Sequence, residues 1–264
     1  MDKIIAAKVY FMMVFLAILL PIFHVSASDI AREHRWAEQT VDSILDGEAV
    51  WLERDSGKTF LSIYTESETS TRMALLVLHG TGIHPNWQQV IQPVRVEMTS
   101  YGWNTLSIQM PILGKEADHS EYATLYPEVH PRITSALKFL SEQGNKEVVI
   151  VAHSQGAAMA VFNLSDQGGQ GVKGLIAIGM GGGEMHADQN VLNHIGSLKL
   201  PVLDLFGSND LESVLFHSED RLKLALEGGN NNYKQLEIDG ANHFFDDMND
   251  ELISSVNDWL GALD

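Results

Sequence analysis

The sequence predicts an α/β domain with a mostly parallel central sheet and helices on both of its faces. Short continuous apolar runs, such as residues 74–78, are typical of strands that are buried on both sides. Stretches of helical periodicity alternate with these runs, which indicates successive strand–helix–strand units. The chain of 264 residues contains no internal repeat or linker, so a single domain is the simplest organisation.

The amino-terminal segment has the pattern of a secretory signal peptide. Two lysines lead into an apolar run over residues 9–23, and small side chains at Val25 and Ala27 mark a cleavage site. The apolar run is shorter than the roughly 20 residues that a spanning helix needs. We therefore expect a signal peptide over residues 1–27, export to the bacterial periplasm, and a mature domain over residues 28–264. The alternative is an uncleaved N-terminal membrane anchor.

The composition argues against several classes of partner. A formal net charge of −18 repels nucleic-acid phosphates and anionic lipid headgroups. We therefore expect no nucleic-acid partner and no stable membrane insertion after signal cleavage. The chain has 11 histidines and no cysteine, and no H-E-x-x-H motif or paired ligand spacing indicates a metal site. We expect no metal and no cofactor, and the sequence leaves the oligomeric state open.

Apolar periodicity predicts the elements of the first half of the chain. In order, they are a helix over residues 31–46, one or two strands within 49–64, strands at 74–78 and 105–110, and a helix over 129–140. Pro111 ends the second of the apolar strands because proline has no N–H to give to a sheet. Gly144 is placed to end the helix that follows.

The second half repeats the strand–helix alternation. Its predicted strands and helices are strands at residues 148–151, 175–180, 202–206 and 233–238, and helices near 188–198, 213–226 and 247–263. Helical connections between strands favour parallel neighbours. The carboxyl ends of parallel strands share one edge of the sheet, so we expect loops at that edge to form a site.

The strand at residues 148–151 leads into a motif typical of a nucleophile elbow. The chain reads His153-Ser154-Gln155-Gly156 and continues at once into a helix of small residues. In such an elbow a serine lies on a strained turn with its hydroxyl exposed above the sheet. Small residues are needed two positions before and after the serine, and Ala152 and Gly156 meet that need. Ser154 is therefore the predicted nucleophile.

A serine hydroxyl needs a base near neutral pH, and that base needs an acid to orient it. Histidine suits the role of base because its pKa lies close to the operating pH. Asp210 follows the predicted strand at 202–206, and His243 follows the strand at 233–238. The order Ser154, Asp210, His243 is the one expected for this architecture. Glu184 is the reserve candidate for the acid.

Two backbone N–H groups are expected to form an oxyanion hole beside the serine. One is the amide of Gln155, directly after the nucleophile. The other comes from the glycine-rich loop at residues 78–82, where we choose the amide of Thr81 and keep Gly82 as the alternative. We expect His79 to anchor this loop by hydrogen bonds rather than to act as a base.

The substrate pocket is expected to be walled by loops near the elbow. Residues 180–201 are too few for a large cap, so residues 112–127 are the remaining candidate lid. Tyr122 from this segment, with His79, His84 and Trp87, is predicted to line the pocket. The alternative for residues 112–127 is a solvated surface loop.

Several of these motifs carry a family resemblance. They are the His79-Gly80 loop, the elbow from Ala152 to Gly156, Gly207-x-x-Asp210 and Gly240-x-x-His243. On them the chain resembles the α/β-hydrolase superfamily over nearly all of its mature length. More narrowly, it is similar to a family of exported bacterial α/β-hydrolase-like proteins of unknown function. That similarity rests on Leu78-His79-Gly80-x-Gly82-x-His84-Pro85-x-Trp87, Gly102-Trp103-x-Thr105-Leu106-Ser107, Gln109-Met110-Pro111 and the elbow. The resemblance implies an α/β-hydrolase fold with a candidate hydrolase site, and the shortness of residues 180–201 predicts little or no cap domain.

The expected function is that of an exported serine hydrolase, esterase-like, acting on a small-molecule acyl substrate. Ser154 would form an acyl-enzyme that water releases, whereas release by a bound alcohol would make the protein an acyltransferase. The alternative is a catalytically silent envelope protein that keeps the fold for binding or assembly.

Overall fold

The computed structural model describes residues 28–54 and 57–263. The signal peptide predicted at residues 1–27 lies outside these described residues. A mixed eight-stranded sheet forms the centre, in the order β1-β2-β4-β3-β5-β6-β7-β8. The strands are β1 (Glu48–Arg54), β2 (Lys58–Thr65), β3 (Met73–Leu78), β4 (Asn104–Ile108), β5 (Glu147–His153), β6 (Val172–Ile178), β7 (Val202–Asn209) and β8 (Tyr233–Asn242).

The direction of the strands places the loops that matter for function on one edge. Strand β2 pairs antiparallel with β1 and β4, whereas every pair among β4, β3, β5, β6, β7 and β8 is parallel. The carboxyl ends of β3, β5, β7 and β8 therefore meet at the same edge of the sheet. This confirms the α/β architecture that the alternating pattern predicts.

Helices cover both faces of the sheet. They are α1 (Ile30–Val41), α2 (Ile91–Glu97), α3 (Val129–Glu142), α4 (Gln155–Gln167), α5 (Glu212–Phe216), α6 (Ser218–Glu227) and α7 (Asn249–Gly261). Strand β3 shows the two cores directly, because Leu76 packs in the cluster with α3 and α4 while Leu75 packs in the cluster with α2 and α7. Within the described part of the chain, no helix is both long and apolar enough to cross a membrane.

Two helical predictions need correction. The helix expected at residues 188–198 is instead two short 3₁₀ turns, Val191–Asn193 and Ile195–Ser197. Asn190 caps the first turn through its side chain, and Gly196 packs closely against the backbone of α6. The helix expected at residues 213–226 is broken at His217 into α5 and α6.

Helix α2 is an addition, because the sequence pattern did not predict it. Its seven residues are too few to show a clear period, and Pro93 lies in its first turn.

Helix α1 is shorter than its predicted range. An ion pair and neighbouring hydrogen bonds hold it against the rest of the domain. Glu33 of α1 accepts a hydrogen bond from Arg132 Nη2 at 2.9 Å, and Arg132 Nη1 donates to Gln109 O at 2.8 Å. Just before the helix, the backbone N–H of Ser28 donates to Glu128 Oε1 at 3.0 Å. Burial raises the pKa of the Glu33 carboxyl although Arg132 opposes this rise. These contacts fix α1 beside the loop that follows β4.

Candidate active site

Ser154 occupies a strained turn between β5 and α4. Its backbone angles are φ 55° and ψ −124°, a combination that costs an ordinary residue about 1–3 kcal/mol. A Cβ atom at Gly156 would lie 2.5 Å from His79 O and 2.8 Å from Leu78 O. Only glycine fits there, since the helix that follows the serine passes against the backbone of β3. The turn raises the serine to the edge where the parallel strands end.

Two hydrogen bonds join the predicted nucleophile, base and acid. The distance between Ser154 Oγ and His243 Nε2 is 3.0 Å, and that between His243 Nδ1 and Asp210 Oδ1 is 2.6 Å. The side chain of Asp210 is buried and that of His243 nearly so. Because an ionised carboxylate only accepts, His243 Nδ1 carries the proton and Nε2 is free to accept from the serine hydroxyl. This is the direction of transfer that activation of Ser154 requires.

The carboxylate of Asp210, the predicted acid, is held by a backbone N–H group as well as by His243. Asp210 Oδ1 also accepts the N–H of Leu211 at 2.7 Å, which holds the carboxylate in one orientation. Glu184, the reserve candidate, lies in the loop after β6, where its Oε1 would be 3.0 Å from a Cβ at Gly181. It makes no hydrogen bond to His243 among the described residues. The structure therefore brings Asp210, and not Glu184, to His243, the predicted base.

The backbone approaches neighbouring groups closely at two glycines, which allows the His243–Asp210 pair to form. Only one of them, Gly207, lies in a motif that the sequence predicts. A Cβ at Gly207 would lie 2.1 Å from Ala241 O, so β7 and β8 meet very closely just before their loops. Gly179 was not singled out, yet a Cβ there would lie 2.9 Å from His243 Nδ1. Its φ of +57° also suits glycine. The glycine-rich stretch after β6 was the available signal.

His153 was also missed as a functional candidate. Its Nε2 donates to the carbonyl oxygen of His243 at 2.9 Å, and the two ring centroids are 4.8 Å apart. Burial lowers the pKa of His153 to about 4, and proximity to His243 adds to this effect. The ring is therefore neutral at neutral pH and fixes the backbone that carries the predicted base.

The loop after β3 passes directly over the nucleophile. A Cβ at Gly80 would lie 2.9 Å from Ser154 Cβ, and Thr81, the next residue, is exposed. Neither the N–H of Thr81 nor that of Gln155 donates to another group in the part of the chain that the structure describes. Both amides are thus free to receive an oxyanion. The side chain of Gln155 points elsewhere, and its Nε2 donates to Tyr126 Oη at 3.0 Å.

His79 anchors this loop and does not line the pocket. Its Nδ1 donates to Gly80 O at 2.8 Å, and its Nε2 accepts the N–H of Met110 at 2.9 Å. Burial lowers its pKa to about 3, so the ring is neutral. The prediction that His79 walls the substrate pocket is wrong because only 1% of the residue is exposed and both nitrogens have partners.

Tyr122 likewise supports the neighbouring loop and does not form an open wall of the predicted substrate pocket. It is buried within a 3₁₀ helix, His119–Glu128, that forms the second half of the candidate lid. Its hydroxyl lies near the backbone of Leu113 and Gly82, and burial raises its pKa. The alternative of a solvated loop holds for residues 114–121, which are mostly exposed, but not for the buried residues on either side of them. Residues 122–126 pack onto the domain, and Tyr122 supports the loop beside the serine.

His84 and Trp87 lie together, half-buried, on the wall next to helix α1. Their ring centroids are 5.5 Å apart, and Trp36 of α1 stacks edge-on with His84 at 5.7 Å. They line a cavity of about 350 Å³ whose lining does not include Ser154. The structure thus places these two predicted residues beside the loop that follows β3. They do not surround Ser154 itself.

Comparison with solved structures identifies the class of this fold. The chain is similar to Est1E from Butyrivibrio proteoclasticus (TM-score 0.63, 15% identity, 83% of this chain and 99% of that one). It is also similar to the esterase Pf2001 of Pyrococcus furiosus (TM-score 0.66, 15% identity, 86% and 96%) and to a dienelactone hydrolase from Anabaena variabilis (TM-score 0.64, 18% identity, 83% and 98%).

The strand order, the strained serine turn and these likenesses together show an α/β-hydrolase fold. No protein of curated function matches the chain in sequence. The chain belongs to the family described as a protein of unknown function (DUF3530), which it matches over residues 28–130 and 114–262. Both the fold and the uncharacterised family agree with the resemblance that the motifs carry.

Proposed function

We propose that this protein is an exported serine hydrolase that cleaves a carboxylic ester or a related acyl bond. The observation that carries the proposal is the pair of hydrogen bonds that links Ser154 to His243 and His243 to Asp210, at 3.0 and 2.6 Å. A binding protein has no need of all three groups in this alignment. Export rests on the leader pattern of residues 1–27 alone.

The geometry supports a two-stage reaction. Ser154 Oγ attacks the carbonyl carbon of the ester while its proton passes to His243 Nε2, and Asp210 stabilises the imidazolium that forms. The carbonyl oxygen becomes an oxyanion that accepts hydrogen bonds from the amides of Thr81 and Gln155. Loss of one such donor typically costs roughly 10²–10³ in rate. His243 then gives its proton to the departing alkoxide, which leaves an acyl-enzyme and an alcohol.

Water completes the second stage. His243 takes a proton from the water as its oxygen attacks the acyl carbon, and then returns that proton to Ser154 as the carboxylic acid is released. The neighbouring histidines do not compete for this role. The pKa values of His79 and His153 are lowered by burial to about 3 and about 4, so both stay neutral at neutral pH.

Two of the similar structures bear on the class of substrate. Pf2001 is described as an esterase, and Est1E has been solved with ferulic acid bound. These descriptions support carboxylic esters as the first compounds to test.

Labelling with a fluorophosphonate probe tests the proposal. Purified mature protein is exposed to the probe, and intact mass is read for the wild type, Ser154→Ala and Ser213→Ala. Ser213 is a matched control because it lies at the same edge of the sheet, near Gly181. We expect one adduct on the wild type and on Ser213→Ala, and none on Ser154→Ala. No adduct on folded wild-type protein would favour a silent envelope protein with a binding role.

A further inference from the structure

Helix α1 brings a fixed cation to the edge of the candidate active site. Arg32 is half-buried, and its Nη1 donates to Leu113 O at 2.6 Å. Its guanidinium lies over the ring of Trp36, 4.4 Å from the centroid, in a cation–π contact. Two independent contacts therefore hold this long side chain in one place.

The guanidinium faces the loop that carries the proposed oxyanion amide. Arg32 Nη2 lies 3.9 Å from the position of a Cβ at Gly82, and Tyr122 Oη lies at the same distance. Gly82 is two residues from Gly80, which contacts Ser154, and two residues of extended chain span at most about 7 Å. Arg32 therefore lies on the rim of the same site as the nucleophile.

Arg32 has no carboxylate partner, whereas three of the four other buried or half-buried arginines of the described residues have one. The fourth, Arg95, donates instead to Asp46 O, Thr65 Oγ1 and Asn86 Oδ1. Among the described residues, Arg54, Arg132 and Arg221 each form an ion pair with a carboxylate, and Arg32 forms none. The nearby Asp29 carboxylate accepts the backbone N–H of Arg32 at 2.9 Å and so caps the helix instead.

The chemistry of guanidinium points to the missing partner. Its five N–H donors form a planar fork that matches a carboxylate in a bidentate pair, and only one bond from Arg32 is made within the described residues. The net charge of −18 repels anions in general, so binding of an anionic substrate would need a local cation such as Arg32. We propose that Arg32 binds a carboxylate on the substrate, so that the preferred esters are anionic. This inference rests on the proposed function and names its substrate class.

Binding to an inactive variant tests the inference without requiring turnover. The probes are the para-nitrophenyl monoesters of adipic and suberic acid, and neutral counterparts in which an isopropyl group replaces the distal carboxylate. Affinities are measured by calorimetry on Ser154→Ala and on Ser154→Ala with Arg32→Gln. We expect the anionic esters to bind roughly tenfold to a hundredfold more tightly than the neutral ones, and Arg32→Gln to abolish that preference.

Arg35→Gln is the matched control because it removes the same charge from an exposed position one turn further along α1. It should leave the preference intact, and Arg32→Lys should keep part of it. A thermal melt identifies any variant that fails to fold. Equal loss of affinity for anionic and neutral esters in Arg32→Gln would assign Arg32 a merely structural role and overturn the inference. Equal binding of the two esters by the parent, or binding of neither, would overturn it as well.

The proposed function has its own readout in the wild-type protein. Labelling of Ser154 by the fluorophosphonate reports on the nucleophile whatever the charge preference is. An active serine without a preference for anionic esters therefore rejects the role of Arg32 alone. A preference without labelling rejects the hydrolase and leaves Arg32 as an anion-binding residue.

Discussion

His153 Nε2 donates a hydrogen bond to the backbone carbonyl oxygen of His243, at 2.9 Å. The residue directly before the nucleophile therefore holds the loop that carries the proposed base. Ser154 and His243 are 89 positions apart in the chain, and the elbow and the base loop are linked by this bond as well as by their own 3.0 Å contact. The geometry of the pair thus depends on a side chain that does not itself face the substrate.

Removal of this bond should lower the rate without weakening substrate binding. We expect His153→Leu to reduce kcat by roughly tenfold to a hundredfold with little change in KM, because small misplacements of catalytic groups are costly. His153→Gln, which keeps an N–H donor, should recover part of the loss. The measurement is steady-state kinetics on a para-nitrophenyl ester. Equal kcat values for wild type and His153→Leu would show that His153 has no positioning role.

Substitution of the nucleophile should reveal the strain stored in the elbow. Both Ser154→Ala and Ser154→Gly should abolish turnover. Glycine normally destabilises a folded chain by roughly 0.5–1 kcal/mol relative to alanine. At φ 55° and ψ −124° that cost should be offset by relief of backbone strain, so we expect Ser154→Gly to be at least as stable as Ser154→Ala in urea unfolding. A clearly less stable glycine variant would argue against a strained turn.

The identity of the acid is tested by two isosteric changes. Asp210→Asn should lower kcat by roughly 10⁴-fold, because the amide cannot hold His243 in the tautomer that accepts the serine proton. Glu184→Gln should stay within about threefold of the wild type, since Glu184 makes no bond to His243. Both are read as kcat/KM on one ester. The reverse ranking would make Glu184 the acid.

Gly156 should not tolerate even one added methyl group. The Cβ of Gly156→Ala would lie 2.5 Å from His79 O and 2.8 Å from Leu78 O at the end of β3, and these backbone atoms cannot move without displacing the sheet. We expect a loss of at least about 3 kcal/mol in unfolding free energy. The control is Gly261→Ala, where no atom lies within 4 Å of the added Cβ and helix α7 should gain slightly. Similar stability of the two variants would contradict the close approach.

Stability should fall in mild acid because two buried histidines are neutral in the folded state. The pKa values of His79 and His153 are lowered to about 3 and about 4, below the value of about 6.5 in an unfolded chain. The contribution of these two neutral rings to the free energy of unfolding is complete above pH 6.5. It is lost as the pH falls towards their pKa values in the folded state. Between pH 7 and pH 5 we expect a loss of about 2 kcal/mol for each histidine.

Urea unfolding at the two pH values measures this loss. His153→Gln removes one of the two groups and should reduce the pH dependence by about half. An unchanged dependence in that variant would assign the effect to other groups.

The positions of Ser154, Asp210 and His243 could be predicted because each follows a recognisable strand. In a parallel sheet, the ends of such strands meet regardless of how far apart they are in the chain. The strained serine was predictable for a related reason, since small residues around it form a local pattern. Local signals of this kind need no knowledge of tertiary contacts.

Contacts between distant segments explain what the sequence did not predict. Nothing near Arg32 indicates that helix α1 lies against the loop at Gly82. Tyr122 has the composition of a surface loop around it, yet it is buried because α1 and the sheet enclose that segment. The predicted helix at residues 188–198 is replaced by 3₁₀ turns because Gly196 must lie against α6. Each outcome depends on packing that periodicity alone does not encode.

The fixed position of Ser28 has a practical consequence for how the protein is prepared. Its N–H is held by Glu128, and Arg32 is one turn of helix further on. Residues that a recombinant tag leaves in front of Ser28 would therefore extend from the surface of the domain close to Arg32. A polyhistidine or lysine-rich remnant there would add cations at the rim and alter the measured preference for charged esters. Assays of substrate charge should therefore use protein tagged at its carboxyl end.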